Sequence, residues 1–376
     1  MKAIIKCIAI TGMIAFSAPA FAGGVNVFDD GESKLKLEAK FFLNTKFIKK
    51  TDQAGITDQT SSLAVDRAYF GAKYYFNDDW MMRITTDTHL DTALGKKNNN
   101  IFLKYAYVEG KLFGKAAVLR LGQSHTPWID YEQGLWKHRY VSKVFVDSKG
   151  FDSSSDLGIG LKGELADGMF KYWITETAGA GYSHPGMHKD VVTGSWAKGV
   201  KAFDFDGRIG IYPIKGLTLD FQLRDGFKGT KYFDKANGQT TPGTRHTLYQ
   251  GMVSYGTHDW RLGSNYLTER SSRRADVLNA VTAREDKTNG FDLWAWANVP
   301  GTAFGAFGRY ESDKLKRSGT GVNPTTKRYV LGLEYTPVKH ISFSLAYDYS
   351  KTKDAKFVIG DYSNNTTYGL YSQIKF

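Results

Sequence analysis

Apolar and polar residues alternate in segments that recur from the beginning of this chain to its end. In the first such segment, Leu35, Leu37 and Phe41 fall on one face of an extended chain, and Lys36 and Lys40 fall on the other. A period of two residues is typical of β-strands whose two faces meet different surroundings. Helical periodicity is nearly absent. The pattern therefore predicts an all-β protein.

The alternating segments number sixteen, and short turns between them alternate with long polar loops. About ten tilted residues cross a bilayer, and a sheet in hydrocarbon must close on itself to pair every backbone N–H and C=O. We therefore predict a 16-stranded antiparallel transmembrane β-barrel with short periplasmic turns and long external loops. A soluble sandwich or propeller would not separate the two kinds of turn so regularly. The predicted strands are 33–48, 63–76, 80–90, 101–110, 116–122, 155–165, 169–178, 199–212, 217–224, 246–255, 260–270, 291–299, 303–312, 327–335, 340–350 and 366–376.

The first 22 residues have the pattern of a secretory signal peptide. Lys2 and Lys6 form a positive start, residues 8–16 are apolar, and Ala20 and Ala22 frame a cleavage site of small residues. We expect cleavage after Ala22 and an exported mature protein.

Residues 23–376 are expected to form a single β-barrel domain. The one cysteine, Cys7, leaves with the signal peptide, so the mature protein cannot use disulfides or thiolate chemistry. The whole chain has 50 basic and 38 acidic residues, and loss of the two signal-peptide lysines leaves a net charge of +10.

The end of the chain carries Tyr368, Leu370, Ile374 and the terminal Phe376 on one strand face. This resembles the general porin superfamily of the Gram-negative outer membrane, although Ile374 stands where that superfamily usually has Tyr. The resemblance implies the bacterial outer membrane as location, a homotrimer, and contact with outer-membrane lipids and lipopolysaccharide. It also implies that the barrel-assembly machinery reads Phe376 as an assembly signal. No nucleic-acid partner is expected.

A finer resemblance concerns the segments 66–71 and 121–127, which are followed by a long basic loop. They are similar to the phosphate-selective porin family, which implies a preference for phosphate-like anions.

The inward strand faces carry more bases than acids, which predicts an anion-preferring lumen because basic rings attract anions in a narrow pore. The alternative is that these bases pair with acids of the lumen or bind lipopolysaccharide from outside. Arg309 and Arg328 are further bases on these faces. The predicted pore-lining bases are Lys34, Lys36, Lys40, Arg67, Lys73, Arg83, Arg120, Lys162, Arg208 and Arg224.

Strand counting makes 123–154 the third external loop, which in 16-stranded porins folds into the barrel. We expect it to be a constriction loop whose basic segment faces its acids across the pore; the alternative is an exposed loop without a gating role. Its aromatic residues Trp128, Tyr131, Trp136 and Tyr140 would pack against the wall or offer stacking surfaces to a sugar. The candidate constriction residues are Asp130, Glu132, Lys137, His138, Arg139 and Lys143.

No catalytic, metal or cofactor site is predicted. The G-x-G-x-x-G match at 158–163 lies within an alternating strand and opens no helix, while Pro185 and Gly186 keep His184 and His188 off a shared helical face.

We expect a passive diffusion channel for small hydrophilic solutes with anion preference, and not an enzyme. The alternatives are a sugar-selective channel and a non-channel barrel, either an enzyme or a structural or adhesive protein with a filled interior.

Overall fold

The computed structural model describes residues 24–52, 54–91, 98–189, 195–200, 202–227, 231–234, 239–242, 245–273, 284–318, 323–353 and 362–376. The predicted signal peptide, 1–22, lies outside these residues.

Sixteen long strands form one closed antiparallel barrel, as the alternation predicts. Each barrel strand pairs with the next along the chain, and the last pairs with the first, with Lys375 opposite Lys40. Closure leaves the barrel without a free edge. The strands are β1 (Val25–Asp29), β2 (Lys34–Asp52), β3 (Thr57–Tyr75), β4 (Trp80–Asp91), β5 (Asn98–Phe113), β6 (Ala117–His125), β7 (Ser155–Leu165), β8 (Phe170–Thr177), β9 (Met187–Lys189), β10 (Trp196–Lys198), β11 (Asp204–Ile211), β12 (Leu217–Gly226), β13 (Lys231–Asp234), β14 (Gln239–Pro242), β15 (Arg245–Gly256), β16 (Trp260–Arg273), β17 (Arg284–Asn298), β18 (Phe304–Arg317), β19 (Thr325–Val338), β20 (Ile341–Lys353) and β21 (Tyr362–Lys375).

Five of these strands lie outside the ring of sixteen. The short β1 pairs with β2 from Lys34 to Leu37, beside the end of β21. The pairs β9–β10 and β13–β14 are small hairpins within the long connections. Two helices, α1 (Ile129–Trp136) and α2 (Phe145–Ser148), belong to the connection between β6 and β7. Neither they nor any other described helix has the length and apolar character needed to cross a bilayer.

The two faces of the barrel wall have opposite character. Large apolar side chains point outward and are exposed, such as Leu63 at 84% and Leu333 at 66%. Charged side chains such as Asp87 and Glu311 point inward and are buried. This arrangement places apolar surface where lipid would lie and polar surface in the lumen.

Several strands run further toward the long loops than the sequence predicts. The segment 49–62 is predicted as a loop, but β2 continues to Asp52 and β3 begins at Thr57, with Lys49 opposite Gln59. Beyond the membrane both faces of a hairpin meet water, so backbone pairing continues after the hydrophobic alternation has ended.

Candidate functional site

The connection between β6 and β7 lies inside the barrel. Trp128, Ile129, Trp136 and Val146 are completely buried, and Phe145 is nearly so. A loop exposed outside the barrel would not bury such residues. Their partners are inward-facing side chains of the wall: Phe42, Leu248, Met252, Leu267, Trp294, Phe307, Val330, Ala346 and Tyr371.

A buried network of charges fixes α1 to the wall. Glu132 Oε1 accepts hydrogen bonds from Arg309 Nη2 and Asn265 Nδ2, both at 3.0 Å. Arg309 also pairs with Asp292, and its Nε lies 3.1 Å from Glu311. Both Glu132 and Arg309 are buried, and a buried charge is stable only when its partners are in place. Glu132 is therefore an anchor and does not line open space.

A second anchor lies at the turn after α1. The Tyr140 hydroxyl donates to Glu334 at 2.5 Å and lies 2.6 Å from the Ser344 hydroxyl. Burial and the neighbouring Glu334 carboxylate raise the pKa of Tyr140, so the phenol stays protonated as the donor. His138 Nε2 lies 3.3 Å from the same carboxylate, and the ring is buried.

A third anchor includes two of the predicted pore-lining bases. Arg208 pairs with Asp220 at 2.9 Å, and its guanidinium lies 3.7 Å above the ring of Tyr131 in α1. Arg224 pairs with Asp152 of the loop. Both arginine side chains are only 7% exposed. Each of these two arginines faces a buried carboxylate and contacts the loop.

The inward face of β2 to β7 carries bases that share acids. Glu38 lies between two cations: it pairs with Lys73 and accepts from Arg83 Nη2 at 3.0 Å. The side chains of Lys73 and Arg83 are 20% and 17% exposed, which is compatible with contact with water in a narrow passage.

A second group of the same kind follows on β5, β6 and β7. Glu109 pairs with Arg120 at 2.5 Å and with Lys162 at 2.9 Å. His125 joins the two groups, because its ring nitrogens lie 3.4 Å from Arg83 Nη1 and 3.2 Å from Arg120 Nη1. Each group combines one carboxylate with two cations, so each retains one net positive charge.

Bases also dominate where the loop faces this wall. Arg139 and Lys143 both pair with Asp147 of the loop, at 3.5 and 3.3 Å. Burial lowers the pKa of Lys143; Asp147 opposes this shift, while Arg139 and Arg67 add to it. Arg67 of β3 therefore lies within electrostatic range of the loop cations, although it forms its own pair with Asp87 at 2.7 Å.

The remaining predicted bases have varied surroundings. Lys34 pairs with Asp29 at 2.5 Å, and Lys36 lies 5.8 Å from the ring centre of Tyr75. Lys40 is exposed and has no ion pair with a described residue. Lys137 lies 3.6 Å above the ring of Trp296, and burial lowers its pKa, with Arg261 adding to the effect.

The expected face-to-face arrangement of loop acids and loop bases is not present. Asp130 Oδ2 lies 2.8 Å from His125 Nε2 and accepts from the Tyr105 hydroxyl at 3.1 Å, so it is directed to the wall of β5 and β6. The basic segment pairs with Asp147 instead. The aromatic side chains Trp128 and Trp136 are buried, and so pack the loop without offering a stacking surface to a solute.

Three lumen residues, Lys104, Tyr105 and His125, were not predicted from the sequence. Lys104 and Tyr105 are consecutive, and both are buried, because the register between β4 and β5 shifts at Thr85 and Thr86. Strict alternation would direct one of them outward, so it cannot reveal this bulge. His125 ends a strand and gives no motif; only its position on the inward face of β6 would have indicated it.

Comparison with protein-family models finds no match. Comparison with curated proteins finds none either. Solved structures do match. An anion-selective porin from Comamonas acidovorans has a TM-score of 0.61 and 14% identity, covering 92% of this chain and 100% of that one. OmpF of Salmonella typhi, in complex with daunomycin, has a TM-score of 0.62 and 15% identity, covering 94% and 100%.

The trimer form of in-vitro folded OmpT, an outer-membrane protein of Vibrio cholerae, has a TM-score of 0.58 and 11% identity. It covers 92% of this chain and 100% of the OmpT chain. Sequence identities this low show only that the chains share a fold. The chain has the 16-stranded barrel fold of the Gram-negative outer-membrane porins.

Proposed function

We propose that this protein is an outer-membrane porin: a passive diffusion channel for small hydrophilic solutes, with a preference for phosphate-like anions. The observation that carries the proposal is the excess of bases inside the barrel. A folded loop occupies part of the lumen, and the wall from β2 to β7 carries partly exposed bases that share too few acids. We place the passage along these bases and call their wall the open wall.

The charge balance of that open wall supports the anion preference. The groups around Glu38 and Glu109 each keep one positive charge, and Lys36 and Lys40 have no ion pair with a described residue. Charge lining a narrow passage with low-dielectric walls raises the local concentration of ions of opposite sign. The Comamonas acidovorans neighbour is itself described as anion-selective.

The proposed mechanism has no chemical step and uses no cofactor. Solutes move down their gradients between the loop and the open wall. The proposal includes an outer-membrane location, a homotrimer, insertion by the barrel-assembly machinery, and 123–154 as the constriction. A sugar-selective channel is disfavoured because Trp128 and Trp136 of the loop are buried. Trp294 and Trp296, which would suggest a filled structural barrel, are buried against the loop, and Trp296 Nε1 donates to the Leu135 carbonyl at 2.8 Å.

Single-channel recording of the purified mature chain in a planar bilayer tests this function. We expect stepwise conductance in KCl that is reduced by small additions of phosphate at constant chloride concentration, since a more strongly held anion occupies the basic wall for longer. A folded barrel that gives no conductance steps would contradict the channel. Conductance steps whose size phosphate does not change would contradict the phosphate preference but not the channel itself.

A further inference from the structure

The connection between β8 and β11 packs against the loop at its start. The structure describes three parts of this connection: 178–189, 195–200 and 202–203. Gly181 has a φ of +73°, which glycine adopts without strain, and a Cβ at this position would lie only 2.8 Å from Ser153 Oγ. The close contact between Gly181 and Ser153 therefore holds the start of the connection beside the loop.

The next residue, Tyr182, reaches the inward face of β5. Its ring stacks on that of Phe102, with ring centres 5.4 Å apart, and Lys104 Nζ lies 3.4 Å from the centre of the Tyr182 ring. In the sheet, β7 and β6 separate β8 from β5, so the connection crosses the ends of two strands to make these contacts. Tyr182 therefore lies inside the barrel, on the long-loop side of the group around Glu109.

Lys104 belongs to a third group of shared charges on this wall. It is buried, its Nζ donates to Ser154 Oγ, and it has no ion pair with a described residue. Arg67 and Asp87, which pair at 2.7 Å, lie within electrostatic range of Lys104. The three side chains together carry one net positive charge, as the groups around Glu38 and Glu109 do. The negative face of the Tyr182 ring attracts the ammonium and stands between it and the entrance.

We propose that Tyr182 is a second constriction residue, whose ring covers the Lys104 ammonium and narrows the passage at its long-loop entrance. The proposal rests on the channel proposed above. The side chains of Lys73 and Arg83 are 20% and 17% exposed, whereas Lys104 is only 3% exposed. Tyr182 itself is half-buried. A solute entering here meets an aromatic ring before it meets a cation, so Tyr182 limits solute size and weakens the first attraction of an anion.

Single-channel recording of Tyr182→Ala in KCl tests the constriction. We expect conductance to rise by about twofold and the zero-current potential to shift toward the value for chloride, because the entrance widens and a cation becomes exposed. Tyr182→Phe keeps the ring and should conduct as the unmodified protein does. The matched control is Trp196→Ala, which removes another exposed ring of the same connection, stacked on His184 at 3.6 Å. This control should change neither quantity.

Lys104→Met separates the exposed charge from the wider entrance. In the Tyr182→Ala background it should cancel the shift toward chloride while the higher conductance persists. In the unmodified protein it should shift the zero-current potential less, because the ring already covers the ammonium. Shifts of equal size in the two backgrounds would contradict the cover. Unchanged conductance in Tyr182→Ala, or the same rise in Trp196→Ala, would overturn the second constriction and leave the channel standing.

Lysine acetylation tests the cover without the use of conductance. The folded protein in detergent is treated with a water-soluble acetylating reagent, and each modified lysine is identified by peptide mass spectrometry. Lys104 should react more slowly than Lys36 in the unmodified protein and about tenfold faster in Tyr182→Ala, since a desolvated cation–π contact is worth about that ratio. Equal labelling of Lys104 in the two proteins would overturn the proposal. A folded protein in which Tyr182→Ala exposes Lys104 but which never conducts would refute the channel proposed above and leave the contact between Tyr182 and Lys104 standing.

Discussion

At the scale of single residues, shared carboxylates set the charge of the open wall. Glu38 neutralises one of its two partners, Lys73 and Arg83, so Glu38→Gln adds one net positive charge to the lumen and Arg83→Gln removes one. We expect the reversal potential in a salt gradient to shift toward anions in the first variant and toward cations in the second. Both shifts should vanish near 1 M salt, where the screening length is about 3 Å.

The matched control for this pair is Glu164→Gln. Glu164 pairs with Lys171 at 2.7 Å near the short turns, and both side chains are more exposed, at 40% and 36%. Its removal changes the net charge equally but away from the loop, so its shift should be smaller. Shifts of the same sign in Glu38→Gln and Arg83→Gln would contradict the assigned roles.

Arg309 is the residue on which the buried network depends. Replacing it with Met leaves Glu132, Asp292 and Glu311 facing one another without this cation. We expect a loss of about 3–5 kcal/mol of stability, because a broken buried ion pair leaves uncompensated charge. Arg245→Met, which breaks the exposed pair with Asp225, should cost at most about 1 kcal/mol. Thermal unfolding of both variants measures the difference; equal midpoints would refute the anchor.

At the scale of elements, the loop holding α1 and α2 determines the width of the passage. Its ends are close together, since His125 is the register partner of Ser155. A short Gly-Ser linker can therefore replace residues 128–150 without separating β6 from β7. We expect several-fold higher single-channel conductance and weaker anion selectivity, because removal of the loop widens the passage beside the bases. Unchanged conductance in a folded variant would show that the constriction lies elsewhere.

The strands and the loop differ in how far their structure could be predicted from the sequence. The sixteen strands follow from alternation, because lipid on one side and water on the other impose it on every strand. The position of the loop follows from strand counting. The wall residues that the loop contacts could not be predicted in the same way. Glu132 and Arg309 are 177 residues apart in the sequence and meet only through closure of the barrel. The inward position of Lys104 could not be predicted either, since a bulge interrupts the alternation of inward and outward residues in β5.

At the scale of the whole molecule, the pairing of the first and last barrel strands, β2 and β21, closes the barrel. Phe376 and Ala39 exchange two backbone hydrogen bonds, at 3.1 and 3.3 Å, while the Phe376 ring is exposed. Phe376→Ala keeps the bonds and removes the ring. We expect normal stability after refolding in detergent but a several-fold lower amount of assembled protein in the outer membrane of cells. Normal assembly in cells would contradict the assembly-signal role.

For the lumen as a whole we propose that the loop narrows the passage and that the bases of β2 to β7 give it a positive potential. The most direct test is the zero-current potential of the purified protein in a planar bilayer across a KCl gradient. We predict a potential of the sign that chloride permeation produces, shrinking as both salt concentrations rise. A potential of the sign that potassium permeation produces would contradict an anion-preferring lumen, because it would mean that the acids of the lumen determine which ions pass.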